Sequence, residues 1–177
     1  MSLGRHLSPW LLGLGVGVLT VAGIAHRAGI RINLTDSIPR GLYRVVNRPF
    51  ARGSIVLVCL PKPAADLGRA RGYIPSGACD DGSAPVGKPV VATQGDTVQV
   101  FDRGVVINGT FLSNSAPLER DSDGRPLPRL PMALHILTPD EIWLLSSHSA
   151  RSYDSRYFGA VASSRVVAQI EALVTAR

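Results

Sequence analysis

From residue 53 onward the chain is cut into short runs rich in Val and Ile by Gly, Pro and Asp, and this punctuation limits the fold more than anything else in it. The runs GSIVLVCL (53–60), PVVA (89–92), DTVQVF (96–101), GVVINGTFL (104–112), EIWLLSS (141–147) and YFGAVA (157–162) each have the length and composition of a strand. Asp102-Arg103-Gly104 supplies a hairpin turn between two of them. No ten-residue amphipathic helix interrupts the series until 164–174, where a helix and a last strand fit equally well. The expected fold class is therefore mainly β. Residues 61–87 and 113–133 break the rhythm. They are dense in Pro, Gly, Ser and Asp and too long for turns, so they are expected as surface excursions or small subdomains. There is no internal repeat.

Ahead of the β pattern lies LSPWLLGLGVGVLTVAGIA, residues 7–25, without a charge. As a helix it would be roughly 28 Å long, close to the hydrocarbon thickness of a bilayer. Its end, Gly23-Ile24-Ala25, has the small residues of a signal cleavage site, so an anchor and a cleaved signal both fit. Arg27 and Arg31 after the run oppose Arg5 before it, and charge alone does not orient it. Either reading delivers residues 26–177, as one β domain, to the far side of an inner membrane. That places the domain in the periplasm, at the outer face of that membrane.

The net charge of +6 raises the question of nucleic acid, but the basic residues are scattered singly and only 6% of the chain is aromatic. No helix-turn-helix, zinc-finger or single-strand stacking pattern is present, which argues against a nucleic-acid partner and leaves a solvated basic surface or attraction to anionic lipid. Seventeen of the 19 basic residues are arginine; the lysines are Lys62 and Lys88. Cys59 ends a strand run and Cys79 falls within the first excursion. A bridge between them would close a loop of about twenty residues and contribute roughly 3 kcal/mol, and an exported compartment permits it. Two free thiols are the alternative.

A serine becomes a nucleophile only with a base in reach. The four histidines are His6, His26, His135 and His148. The first two flank the apolar run, His135 begins an apparent strand and His148 sits among small polar residues. None has a triad partner or the spacing of a metal site, and no metal or cofactor is expected. Lysine is the other route, because an ammonium desolvated in an apolar site loses its proton more readily. Lys88, in GKPVVATQGDTVQV, opens a Val-rich strand, whereas Lys62 is expected in a Pro-flanked loop where a charged lysine stays in water. An exposed strand-end lysine is the competing reading of Lys88.

Four segments in fixed order decide between them. SIPRGLY (37–43), ARGSIVLVCLP (51–61), GKPVVATQGDTV (87–98) and SYDSRYFGAV (152–161) resemble the successive boxes of the signal peptidase I superfamily, over residues 33 to 162. The SxPxGLY form and the Pro/Gly/Cys-rich stretch before Lys88 are most similar to the conjugal-transfer TraF branch of pilin-maturation peptidases. The resemblance implies a signal-peptidase-like antiparallel β fold with one N-terminal apolar helix. It makes Ser37 the nucleophile, Lys88 the general base, Ser152 the hydroxyl that orients the lysine, and Asp154 with Arg156 the ion pair that holds the site loop. It also makes Thr35 the hydroxyl that joins the Ser37 N–H in binding the oxyanion.

The resemblance thus implies a membrane-associated serine endopeptidase whose substrate is a pilin-type precursor, and an added strand is the expected mode of substrate binding. Water resolving the acyl-enzyme gives cleavage, and the substrate's own amine gives a cyclic product. Two departures, SSHSAR in place of a Gly-Asp-Asn-type run and a proline two rather than three positions after the serine, favour a dedicated substrate. A general signal peptidase and an inactive scaffold domain of the pilus or secretion machinery remain the alternatives.

Overall fold

The computed structural model of the protein describes Thr20, residues 23–25 and residues 27–176. The apolar run 7–25 otherwise lies outside the described residues, and among those described no helix is long and apolar enough to cross a membrane. Strands β1 (Ile30–Asn33), β2 (Gly41–Val46), β3 (Ile55–Val58), β4 (Val86–Ala92), β9 (Glu141–Leu144), β10 (Val161–Ala162) and β11 (Val166–Thr175) form one sheet. Its order is β1-β2-β11-β3-β4-β9-β10. Strands β5 (Thr97–Phe101), β6 (Gly104–Ile107), β7 (Thr110–Phe111) and β8 (His135–Ile136) form a second, in the order β7-β6-β5-β8. Every pairing is antiparallel. The fold is mainly β, as the run pattern predicts.

Alternation places the core. On β4, Lys88, Val90 and Ala92 point inward while Pro89 and Val91 are only half-buried. β3 contributes Val56 and Val58 to the same apolar mass, together with Leu144, Ile142 and Val161. A second cluster, around Val98, Val105, Ile107, Leu137, Trp143 and Leu145, fills the small sheet and its junction with β9. Each such side chain removed from water contributes about 1.5–3 kcal/mol. Lys88 is thus an amine on the core face of a strand, opposite Val56.

Several elements depart from the run pattern for local reasons. GVVINGTFL is two strands, because Asn108 (φ 50°) and Gly109 (φ 76°) make a tight turn with positive φ at both central residues. YFGAVA is not one strand. Asp154 caps a single helical turn, α2 (Ser155–Phe158), and Gly159 at φ 79° ends it before β10. The ambiguous 164–174 resolves as a short 3-10 turn (Ser163–Arg165) followed by the long β11.

The excursion 61–87 contains an unforeseen helix, α1 (Lys62–Ala70), and its last residues already belong to β4. Lys62 is therefore not in a loop. It opens α1, exposed, and pairs with Asp66 at 2.8 Å. The helix is short and its buried face is small, Ala64, Ala65 and Gly68. A methyl at Gly68 would stand 2.5 Å from Ile74 Cδ1, so a larger residue there would have to displace the Ile74 side chain. Cys59 and Cys79 are bridged, tying this excursion to the end of β3.

Candidate active site

Ser37 sits on the turn between β1 and β2, and the turn is held from below by Asn33. The Asn33 amide donates to the carbonyls of Thr35 (2.8 Å), Ile38 (2.9 Å) and Pro39 (3.1 Å). Its oxygen accepts from the Thr35 N–H at 3.2 Å and the Thr35 hydroxyl at 2.7 Å. One asparagine thus satisfies most of the turn's polar backbone, as Asx turns do. Pro39 disfavours helix at Ile38, and the Ile38 side chain plugs into a small core with Tyr43 and Ile170. The Tyr43 hydroxyl donates to the Pro39 carbonyl at 2.6 Å. Gly41 is obligatory at φ 154°, since a methyl there would lie 2.1 Å from the Val174 carbonyl oxygen of β11. The serine is therefore presented, half-buried, on a pinned corner.

Lys88 comes to it from β4. Its Nζ lies 2.7 Å from Ser37 Oγ and 2.7 Å from Ser152 Oγ, and the two hydroxyls are 3.4 Å apart. The lysine is 3% exposed, with apolar neighbours along the strand face. Burial pulls its pKa down from 10.5 to about 8; the Asp154 carboxylate opposes that fall and the Arg156 guanidinium adds to it. A neutral amine within hydrogen-bond reach of a hydroxyl can take its proton.

The loop that carries Ser152 hangs on a buried ion pair. Asp154 and Arg156 are both fully buried, joined at 2.8 Å through Nε and 2.9 Å through Nη2. Arg156 donates further to the carbonyls of Ser149 (3.3 Å), Ala150 (3.2 Å), Ser152 (3.1 Å) and Ala116 (3.3 Å). Asp154 also accepts from the Ser146 N–H at 3.1 Å. The pair thus fixes residues 146–156 and docks the second excursion at Ala116.

Thr35 lies on the same turn as Ser37, exposed, with its hydroxyl proton engaged by Asn33. A side-chain rotation would be needed for it to donate elsewhere. Of the residues singled out in the sequence, Ser37, Lys88, Ser152, Asp154 and Arg156 converge here, and the bridged Cys59 and Cys79 are not among the residues that line the cleft. His135 pairs instead with Glu141 at 2.9 Å, away from the site.

The site opens into a cleft of about 520 Å³. Sequence reasoning did not reach its far wall, which the two excursions build. Tyr73 and Asp121 hydrogen-bond across it, Arg125 joins the same carboxylate at 2.6 Å, and Arg71 stands 3.6 Å from it. Burial pushes the Asp121 carboxyl up, but hydrogen bonds from Tyr73 and Arg125 outweigh it and hold the group well below the usual carboxylate range. Asn33 and Tyr43 were missed as well. For Asn33 the available signal was an Asx-turn residue shortly before a polar-Pro-Gly corner.

Comparison with known proteins gives the class to which this antiparallel β frame belongs. The chain belongs to the signal peptidase, peptidase S26, family, whose match spans residues 5–175. Within it the chain is 41% identical over 172 residues to a plasmid transfer protein TraF of Escherichia coli, covering 97% of each. It is 38% identical over 179 residues to a probable conjugal transfer protein TraF of Sinorhizobium fredii, covering 97% of this chain and 92% of that one. A solved signal peptidase I from Enterococcus faecalis is similar at 20% identity and a TM-score of 0.38, covering 70% of this chain and 97% of that one.

Proposed function

We propose that the protein is a membrane-associated serine endopeptidase of a conjugal transfer system, acting at the periplasmic face of the inner membrane on a pilin-type precursor. The observation that carries this is the buried Lys88 amine placed 2.7 Å from Ser37 Oγ. Relatives named for plasmid and conjugal transfer, similar along nearly the whole chain, support the setting. The uncharged run 7–25 supports the location.

Neutral Lys88 accepts the Ser37 proton as Oγ attacks the scissile carbonyl, and Ser152 holds the amine on line. The Ser37 N–H and a rotated Thr35 hydroxyl meet the developing oxyanion, each donor contributing about 3 kcal/mol in comparable sites. The ammonium then gives its proton to the leaving amine. The acyl-enzyme is resolved by water, or by the precursor's own N-terminal amine to give a closed ring.

Mass spectrometry of the candidate pilin from cells carrying wild-type enzyme, Ser37→Ala or Lys88→Arg tests the proposal. Mature pilin is expected only with wild type, because arginine keeps the charge but cannot act as base near neutral pH. Mature pilin with either variant contradicts it. A product lighter than the linear peptide by one water identifies ring closure; equal mass identifies hydrolysis.

A further inference from the structure

Next to Ser152 stands a cation that the peptidase chemistry does not use. Arg151 lines the same cleft as Ser37 and Lys88. Its guanidinium donates through Nη1 to Ser122 Oγ at 2.9 Å, a neutral partner. The acidic residues that flank Ser122 in the chain are already engaged: Asp121 by Tyr73, Arg71 and Arg125, and Asp123 by Arg125 at 2.8 Å. Among the described residues no carboxylate stands in ion-pair contact with Arg151.

The side chain is exposed, but the backbone that carries it is firmly held. The backbone under it is fixed by Arg156, which donates to the carbonyls of Ala150 and Ser152 on either side. The Arg151 N–H itself donates to Ser149 Oγ at 3.3 Å. The Ser122 that holds the fork comes from the second excursion, anchored by the Asp121 cluster. The result is an exposed guanidinium in the cleft lining, held through Nη1 and with its remaining donors unengaged by any described residue. Its neighbour along the chain touches both reacting groups, so it can address a substrate group within roughly 10 Å of the scissile carbonyl, two or three residues along an extended chain.

We infer that Arg151, braced by Ser122, is a specificity residue that binds a carboxylate of the substrate two or three residues from the cut. Guanidinium and carboxylate match as two parallel charge-assisted bonds, and lysine or glutamine cannot reproduce that fork. The carboxylate can belong to an acidic side chain or to a nearby chain terminus. This rests on the peptidase reading of the cleft and adds to it the chemical class of substrate.

The test uses the full chain in detergent with quenched-fluorescent peptide pools, each fixing one position near the cut as Glu, Gln or Lys. Every pool is made with a free and with an amidated C-terminus. Wild type is expected to prefer Glu over Gln, or free acid over amide, roughly ten- to a hundredfold in kcat/KM, the range of a charge-assisted bond. Arg151→Gln should bring that ratio close to one and Arg151→Glu should turn the preference toward Lys. A preference that survives amidation assigns the carboxylate to a side chain; one abolished by amidation assigns it to the terminus. Wild-type cleavage without any acid preference, or a preference retained in Arg151→Gln, overturns the inference alone. Absence of cleavage from every pool, or cleavage that persists in Ser37→Ala, overturns the peptidase reading instead.

Discussion

Lys88 carries opposing demands. A charged ammonium on the core face of β4 is costly, and its contacts are two hydroxyls, with no carboxylate in contact. Its folded-state pKa is about 8 and its ordinary value 10.5, so between those pH values the folded protein binds fewer protons than the unfolded one. Stability must rise with pH through that window. Below about pH 8 the penalty is present in full. Lys88→Met keeps the stem and removes the charge; at pH 7 it is expected to stabilise the fold by about 1–3 kcal/mol while abolishing activity. The gain should shrink as the pH rises from about 8 to about 10. Urea unfolding in detergent at about pH 7 and about pH 9.5 checks both, and a variant less stable than wild type at the lower pH would mean that the two hydroxyl contacts outweigh burial. The sequence narrows the choice to this lysine, since only it opens an apolar strand, but of Asn33 it shows no more than an Asx-turn residue ahead of the corner. Nothing in a single asparagine before a turn reveals that it will satisfy three carbonyls.

Among the elements, those with strong period-two patterns are where the runs place them. β4 and β5 alternate because one face of each packs on a core. The elements that depart from the runs do so where local chemistry outweighs composition. α1 has only nine residues and its buried face is made of alanines and a glycine, so no large apolar residue marks it. YFGAVA has strand composition, yet the Asp154 cap and Gly159 turn it into α2 and a two-residue strand, a case of capping chemistry overriding propensity. Asp154 caps that turn through the Arg156 N–H while also neutralising the Arg156 side chain. Asp154→Asn preserves the shape and leaves a buried guanidinium uncompensated, which is expected to cost about 3–5 kcal/mol. Because Arg156 holds the carbonyls of Ser149, Ala150 and Ser152, turnover should also fall at temperatures where the variant is still folded. Calorimetry and an activity series from the cold upward measure the two effects. An unchanged melting temperature with full turnover would show that the pair holds nothing.

Across the chain, the site exists because three distant segments meet. Ser37 and Lys88 are 51 positions apart, and Lys88 and Ser152 are 64 apart. They are joined by the order of strands in the seven-stranded sheet, which sets β2 and β11 beside β3 and β4 and brings β9 with its following loop to the other side of β4. No local pattern encodes such a meeting. The order of four motifs did, through their resemblance to a family to which the chain then proved to belong. The cleft's far wall had no such guide, being built from Pro- and Gly-rich excursions whose contacts depend on one disulfide and one buried aspartate.

The most direct test is the pH dependence of Ser37 acylation in wild-type enzyme and in Lys88→Arg, followed with one quenched peptide between about pH 6 and about pH 10. If Lys88 is the base, the wild-type rate climbs as the amine loses its proton, with a midpoint near 8, and Lys88→Arg stays inactive throughout. A midpoint near about 6.5, the ordinary range of histidine, or acylation by Lys88→Arg at the wild-type rate, would contradict it.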